Sequence, residues 1–146
     1  MSWITQPPIV VPYDFSPDAR EGVDKAVNLL GTSNGVHLIH VLGELSPAEP
    51  GEAWHTVDET TRTHHATQAI RKEFSDPAYA DLSITIAFGD PGEQICRFAE
   101  DIDATAIVTA SHGRSAIMRV LVGSVADRIV RLAHCPVLIL KKKRPA

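Results

Sequence analysis

Residues 110–125, ASHGRSAIMRVLVGSV, lie between an apolar run that predicts a buried strand and an amphipathic run that predicts a helix. A glycine-bearing loop that joins a strand to a helix is a common anion site. The N–H groups of the loop and of the first helical turn are unpaired there, and they lie at the positive end of the helix dipole. The stretch matches neither the Walker A loop nor the dinucleotide G-x-G-x-x-G fingerprint, so it predicts a phosphate site of another design.

Outward from this stretch, strand and helix patterns alternate along the chain. Helix starts are marked by Ser16-Pro17-Asp18, by Asp90-Pro91 and by Ser124 as N-cap. This alternation predicts an α/β domain with a parallel sheet, right-handed crossovers and helices on both faces. The predicted strands are residues 9–13, 36–42, 82–88, 104–109 and 137–140, and the predicted helices are residues 17–30, 52–75, 91–102 and 124–133.

Two of these elements carry more specific predictions. Large apolar residues alternate with small or polar ones over residues 82–88, a pattern typical of a strand at a sheet edge. The last helix has an apolar stripe at the helical period, which predicts its buried face. That stripe consists of Val125, Ala126, Ile129, Val130 and Ala133.

Composition is that of an ordinary globular protein: 146 residues, 44% hydrophobic, 22% charged, with a net charge of −4. We expect one domain over residues 1–146, with residues 1–7 as an N-terminal extension and 142–146 as a basic tail. Such a chain buries roughly 70% of its unfolded surface. The negative charge argues against a general nucleic-acid binder. No signal peptide, membrane span or cysteine framework is evident, so we expect a cytoplasmic protein with Cys96 and Cys135 in the core.

The glycines of the opening stretch have a distinctive spacing. Gly113 and Gly123 are separated by nine residues, and Ser124 follows directly. This resembles the nucleotide-binding signature of the universal stress protein family, G-x-x-G, nine residues, then G-[S/T], with Ala110 in place of the first glycine. Residues 10–16 resemble the first strand and acidic turn of that family, His40-Val41 the end of its second strand, and residues 135–140 its last strand.

The resemblance implies a Rossmann-like fold of the adenine nucleotide alpha hydrolase-like type, with a five-stranded sheet of order 3-2-1-4-5. Strands one and four are then neighbours at the topological switch point, where open α/β sheets bind ligands. Asp14 would face Ala110 there across a crevice. The resemblance also implies ATP or AMP, with or without Mg²⁺, as the ligand of a stress-response regulator that at most hydrolyses ATP slowly.

The resemblance further implies a homodimer, and we expect the phosphate loop to gate contacts with an unknown protein partner. The fifth strand is an apolar edge that a second subunit would cover. The residues expected at that interface are Val137, Leu138, Ile139 and Leu140.

The expected nucleotide site has two ends. By the resemblance, Pro12, Asp14 and the backbone of Val41 lie at the nucleoside end. The phosphate end is formed by the loop and the start of the last helix. Its expected members are Thr109, Ala110, Ser111, His112, Gly113, Arg114, Ser115, Gly123, Ser124 and Val125.

Several of these residues also have simpler interpretations. Asp14 can close an Asx turn onto Ser16, bond the nucleoside, or reach phosphate through a metal. Ser124 can cap its helix, bind phosphate, or do both. His112 has the chemistry of an acid, a base or a phosphate donor, but no carboxylate pair or nucleophile is spaced to work with it. Arg114 either pairs with a polyphosphate or is solvated.

Other functions stay open at this point. One is a nucleotide-free dimeric adaptor of the same fold. Another is an ATP-consuming ligase or sulfurtransferase of the wider group, although the chain has no room for a substrate domain. His55, His64 and His65 share one predicted helix, but their spacing does not place all three on one face, which favours solvated histidines over a metal site. The basic run 141–144 predicts a solubilising tail, with a phosphate or partner contact as the alternative.

Overall fold

The computed structural model describes residues 6–44, 59–111 and 124–141 of the chain. Within them, strands and helices alternate as predicted, and a short 3₁₀ turn, Pro77–Tyr79, precedes the third strand. The strands are β1 (Ile9–Pro12), β2 (Val36–Leu42), β3 (Ser83–Phe88), β4 (Ala106–Ala110) and β5 (Val137–Leu140). The helices are α1 (Pro17–Leu30), α2 (Glu59–Glu73), α3 (Pro91–Asp101) and α4 (Ser124–Leu132).

All five described strands are parallel and form one sheet of order β3-β2-β1-β4-β5. This confirms the predicted fold class and strand order, and it places β3 at a sheet edge. Ile9 of β1 is paired with Val36 of β2 on one side and with Ala106 of β4 on the other. The sheet centre is therefore β1, which is buried on both faces because each face carries two helices.

Two apolar clusters fill the space between the sheet and its helices. One joins α1 and α2 to the sheet, and the other joins α3 and α4 to the opposite face. Successive residues of a strand point to opposite faces, so the clusters draw alternate residues from each strand. In β1, for example, Ile9 and Val11 belong to the first cluster and Val10 to the second.

Single residues set the helix ends where the sequence predicted them. The Ser16 hydroxyl accepts a 3.1 Å hydrogen bond from the Ala19 N–H at the start of α1. Gly31 ends that helix in the left-handed region at φ 74°, where a side chain would be strained. The Asp90 carboxylate accepts a 2.9 Å bond from the Glu93 N–H and caps α3.

Several predicted boundaries differ from the structure, most of them by one or two residues at the end of a strand or helix. Helix α2 is described only from Glu59, and residues 52–58 of the predicted helix lie outside the described residues. Strand β4 begins at Ala106 instead of residue 104, because the Ala104 and Thr105 N–H groups donate to Ala99 of α3 and to Pro8 rather than to a strand. Ser124 is the first residue of α4, one position later in the helix than an N-cap.

The buried stripe predicted for α4 is only partly correct. Ala126 and Ile129 are buried, but Val125 is 39% exposed and Val130 is 51% exposed. Because β5 is the last strand and only four residues long, the sheet does not extend far enough to cover the outer flank of the helix. The prediction that Val125 and Val130 are buried was therefore wrong.

Cys96 is buried and Cys135 is half-buried, and both thiols are free. The Cys96 thiol donates to the Ile129 carbonyl at 3.6 Å, and burial raises the pKa of both thiols. Among the described helices, none is long and apolar enough to cross a membrane.

Candidate nucleotide site

The carboxyl ends of β1 and β4 lie side by side at the centre of the sheet. The chain leaves β1 toward α1 on one face, whereas α4, the helix after β4, lies on the other. Strand order reverses at this point, and the divergence of the two connections opens a crevice outside the strand ends. Asp14 follows β1 here, and Ala110 and Ser111 stand at the end of β4.

Asp14 forms the Asx turn that was one of its predicted roles. Its Oδ1 accepts a 3.0 Å hydrogen bond from the Ser16 N–H, and the Ser16 hydroxyl in turn starts α1. This arrangement holds the half-buried carboxylate at the carboxyl edge of the sheet. An acceptor fixed at a strand end is suited to a ligand hydroxyl or amine.

The end of β4 brings hydroxyl groups to the same edge. Thr109 is 5% exposed and Ser111 is 2% exposed, so both hydroxyls lie below the surface. Between them, Ala110 is a regular strand residue aligned with Leu140 of β5, and the Ser111 N–H donates to the Leu140 carbonyl at 3.0 Å. Ala110 is not among the described residues with positive φ, so its methyl group adds no left-handed strain at this position.

Alternation along the strands places three of the predicted residues on one face. Val41 packs against the cluster beneath α3 and α4. Pro12 follows Val10 of that cluster by two residues, and Thr109 follows Ile107 by two, so both lie on the same face. Helix α4 covers this face and begins at the carboxyl edge. The structure therefore brings together residues predicted for opposite ends of the ligand.

The helix start itself is open to solvent. Ser124 and Val125 are exposed in the first turn of α4. The positive end of the helix dipole and the N–H groups of this turn, which have no acceptor within the helix itself, favour an anion. The remaining predicted members, His112, Gly113, Arg114, Ser115 and Gly123, lie outside the described residues.

Sequence reasoning missed the ring contacts beside Asp14. Phe15 has a φ of 66°, an unusual conformation for a bulky residue, and its ring lies 5.1 Å from the Tyr13 ring and 5.2 Å from the His40 ring. The His40 Nδ1 is 2.7 Å from the Tyr13 carbonyl. A left-handed residue is normally signalled by glycine or asparagine, so nothing in the sequence indicated the conformation of Phe15 within the predicted Asx turn.

An ion pair between the N-cap of α3 and the second turn of α4 was also missed. Arg128 Nε lies 2.7 Å from Asp90 Oδ2. The hydrogen bond from Arg128, and that from the Glu93 N–H, lower the pKa of Asp90. The only sequence signal was Gly92 in the first turn of α3, where a small residue permits close approach of another helix.

The histidines considered as metal ligands are not gathered into a site by the described residues. His64 and His65 are exposed on α2, and His55 lies outside the described residues. Groups of three or more His, Cys, Asp or Glu side chains able to hold a metal ion are absent from the described part of the chain.

Comparison with known proteins gives a family match over nearly the whole chain. The model of the universal stress protein family matches residues 7–141. Universal stress protein MJ0531 of Methanocaldococcus jannaschii is 31% identical over 142 residues, which cover 93% of this chain and 82% of that protein.

Solved structures share the fold. Protein MJ0577 of the same archaeon superposes with a TM-score of 0.73 at 28% identity, covering 94% of this chain and 96% of that one. The universal stress protein of Archaeoglobus fulgidus, solved in complex with dAMP, superposes with a TM-score of 0.56 at 25% identity, covering 92% of this chain and 98% of that one.

Proposed function

The chain belongs to the universal stress protein family, and we propose that it is a homodimeric stress-response regulator that binds ATP or AMP. The observation that carries the proposal is the carboxyl edge of the neighbouring strands β1 and β4, where Asp14 follows one strand and the buried residues Thr109 and Ser111 lie at the end of the other. The dAMP complex of the Archaeoglobus fulgidus relative supports a nucleotide as the ligand.

In this proposal the nucleoside lies against the α3–α4 face. Pro12 and Val41 supply an apolar wall, and Asp14 accepts a hydrogen bond from the sugar or the base. The phosphates lie toward the exposed start of α4, where Ser124 donates its hydroxyl and Val125 its backbone N–H. The rest of the phosphate end is the predicted set from Thr109 to Ser115 together with Gly123.

The side chains at this edge fit Mg²⁺ as a companion of the phosphates. Mg²⁺ prefers oxygen ligands and keeps several of its waters, so it usually takes only one or two protein oxygens. Asp14 supplies a carboxylate oxygen and Thr109 a hydroxyl at the strand ends. In such a site the ion neutralises phosphate charge.

The same side chains suit binding better than reaction. A carboxylate in an Asx turn and two buried hydroxyls orient a ligand, and they form no nucleophile–base pair. We therefore propose a ligand switch: phosphate binding favours one conformation of the segment between β4 and α4, and a partner protein reads that surface. Such a switch needs only that the nucleotide bind one conformation more tightly than the other.

The proposed dimer forms through β5. Its residues Val137–Leu140 are half-buried, and the strand lies at the end of the sheet with one edge unpaired in the described structure. Val130 of α4 adds an exposed apolar side chain on the neighbouring flank. An apolar edge strand of this kind is stabilised when a second strand pairs with it. Sedimentation equilibrium is expected to give twice the mass of the chain.

Calorimetric titration with ATP and Mg²⁺ tests the nucleotide proposal. We expect wild-type protein to bind with micromolar affinity and Gly113→Ala/Gly123→Ala to lose binding while its circular dichroism stays unchanged. A wild type that shows no binding at millimolar ATP would refute the proposal. The chain would then be better explained as a nucleotide-free dimeric adaptor.

A further inference from the structure

The N-cap of α3 and the second turn of α4 are joined by a contact to which the nucleotide site as described assigns no role. Arg128 lies four residues after Ser124, on the same side of α4. Its Nε donates to Asp90 Oδ2 at 2.7 Å. The same carboxylate oxygen accepts the 2.9 Å bond from the Glu93 N–H that caps α3. One carboxylate thus caps α3 and holds the second turn of α4.

The contact depends on a glycine. Gly92 is buried in the first turn of α3, and the aliphatic stem of Arg128 lies directly over it. A Cβ added at Gly92 would lie 2.6 Å from Arg128 Cγ and 2.8 Å from Arg128 Cβ and Cδ. These distances are too short for real side chains. The two helices therefore approach as closely as they do because residue 92 has no side chain.

Through α3, this contact connects the two ends of the nucleotide site. The Gly89 N–H donates to the Leu42 carbonyl at 2.9 Å, which attaches the residue before the α3 cap to the end of β2. Asp90 follows, and Arg128 then attaches the second turn of α4 to it. The nucleoside end at β2 and the phosphate end at Ser124 are thereby linked by two hydrogen bonds and the short backbone segments between them.

We propose that Arg128, seated on Gly92 and held by Asp90, is a positioning residue that sets the distance between the nucleoside end and the phosphate end of the site. This inference rests on the proposed nucleotide-binding function. It also specifies the ligand class. A ligand that spans both ends, a nucleoside polyphosphate, requires the contact, whereas a nucleoside without phosphates does not.

The ion pair is exposed, with side-chain exposures of 51% for Arg128 and 43% for Asp90. Exposed pairs contribute little to folding stability. A purely structural role would therefore leave nucleotide binding almost unchanged when the pair is removed. A positioning role predicts instead a loss confined to ligands that carry phosphates.

Three variants and one control separate these roles. Arg128→Ala removes the guanidinium. Asp90→Ser removes the carboxylate but keeps a good N-cap for α3, and the double variant combines the two changes. The control is Arg131→Ala, because Arg131 lies on the same helix and pairs at 3.0 Å with Asp127 rather than with α3.

Calorimetry with ATP and with adenosine is the first measurement. We expect Arg128→Ala and Asp90→Ser each to weaken ATP binding by about threefold to tenfold, and the double variant to be no weaker than either single variant. Adenosine binding should be unchanged in all of them, and Arg131→Ala should match the wild type. Equal losses for ATP and adenosine, additive losses, or wild-type ATP affinity in Arg128→Ala would each overturn the proposal.

Hydrogen exchange is the second measurement, and it does not depend on the ligand. Backbone amides of residues 128–132, which can donate within α4, should exchange faster in Arg128→Ala and Asp90→Ser than in Arg131→Ala or the wild type. If hydrogen exchange is unchanged in the variants while the wild type binds ATP, the positioning role of Arg128 is refuted and the proposed nucleotide binding is not. A wild type that binds no ATP would instead remove the proposed function, and with it the role of the contact.

Discussion

The two faces of the sheet are held by different kinds of contact. On the α1–α2 face, Arg20 lies 4.8 Å from the Phe74 ring centre and 5.6 Å from the Tyr79 ring centre, and the Tyr79 hydroxyl donates to Asp24. On the α3–α4 face, the helices meet through small residues such as Gly92, and an exposed ion pair joins the N-cap of α3 to the second turn of α4.

From this difference we infer that the two faces have different roles. Aromatic rings and cation–π contacts bury large surfaces and fix α2 and the 3₁₀ turn onto α1. Small residues let α3 and α4 lie close together with their starts at the carboxyl edge. Pro12, Val41 and Thr109 lie on this second face. We therefore expect changes on the first face to alter stability alone, and changes on the second to alter ligand binding as well.

The largest expected effects come from one core isoleucine on each face. Ile70 of α2 and Ile129 of α4 are both fully buried. Truncating either to alanine leaves a cavity and should lower the free energy of unfolding by about 3 kcal/mol in urea denaturation. In the folded protein only Ile129→Ala should weaken ATP binding. Equal losses of ATP affinity in both variants would contradict the expectation that only the α3–α4 face affects ligand binding.

Gly92→Ala should have an intermediate effect. The new methyl group overlaps the stem of Arg128, so α4 must shift, at a cost of about 1–3 kcal/mol in the free energy of unfolding. Because α4 shifts, the affinity for ATP should fall as well. Gly43→Ala is the matched control, because an added Cβ there meets nothing within 4 Å. If both variants behave like the wild type, the close approach of α3 and α4 is not required.

Tyr79→Phe should destabilise the first face by about 1 kcal/mol without changing ATP binding, because one hydrogen bond to Asp24 is lost. That hydrogen bond, followed by burial, raises the pKa of Tyr79 in the folded protein. The hydrogen bond therefore contributes fully to the free energy of unfolding below the unfolded-state pKa of about 10. This contribution is lost as the pH rises through the folded-state pKa of Tyr79. Denaturation from pH 8 to 11 should show this loss in the wild type and not in Tyr79→Phe.

The smallest expected effect is the loss, at acid pH, of the stability that the Asp90–Arg128 ion pair contributes on the α3–α4 face. Because hydrogen bonds from Arg128 and from the Glu93 N–H lower the pKa of Asp90, its contribution to stability is present above the unfolded-state pKa of about 4. It is lost as the pH falls through the folded-state value. Arg128→Ala should therefore flatten the melting-temperature profile between pH 5 and 2. An unchanged profile would mean that the pair contributes nothing to folding.

Much of the fold could be predicted from short stretches of the chain. Ser16, Gly31 and Asp90 set helix ends through contacts with residues three or four positions away, which a sequence displays directly. The predicted bounds of β2, residues 36–42, agree with the structure because a mainly apolar run lies between Gly35 and Gly43. The strand order came from the family resemblance and not from periodicity.

The features that could not be predicted depend on how distant parts of the chain pack together. The apolar periodicity of α4 includes Val130, but the sheet beneath that residue ends at β5, so Val130 is exposed. The left-handed conformation of Phe15 has no glycine to signal it. At the candidate site, residues at strand ends were predictable because parallel strands share a carboxyl edge. The contact between Asp90 and Arg128, 38 residues apart, was not predictable.

The most direct test of the central claim is to map ATP on the protein by ¹H–¹⁵N NMR. The account predicts that ATP shifts the amide signals of Val41, Thr109 and Ser124, while those of Ile70 and Tyr79 on the opposite face stay unchanged. No shifts at millimolar ATP, or shifts confined to the α1–α2 face, would contradict it.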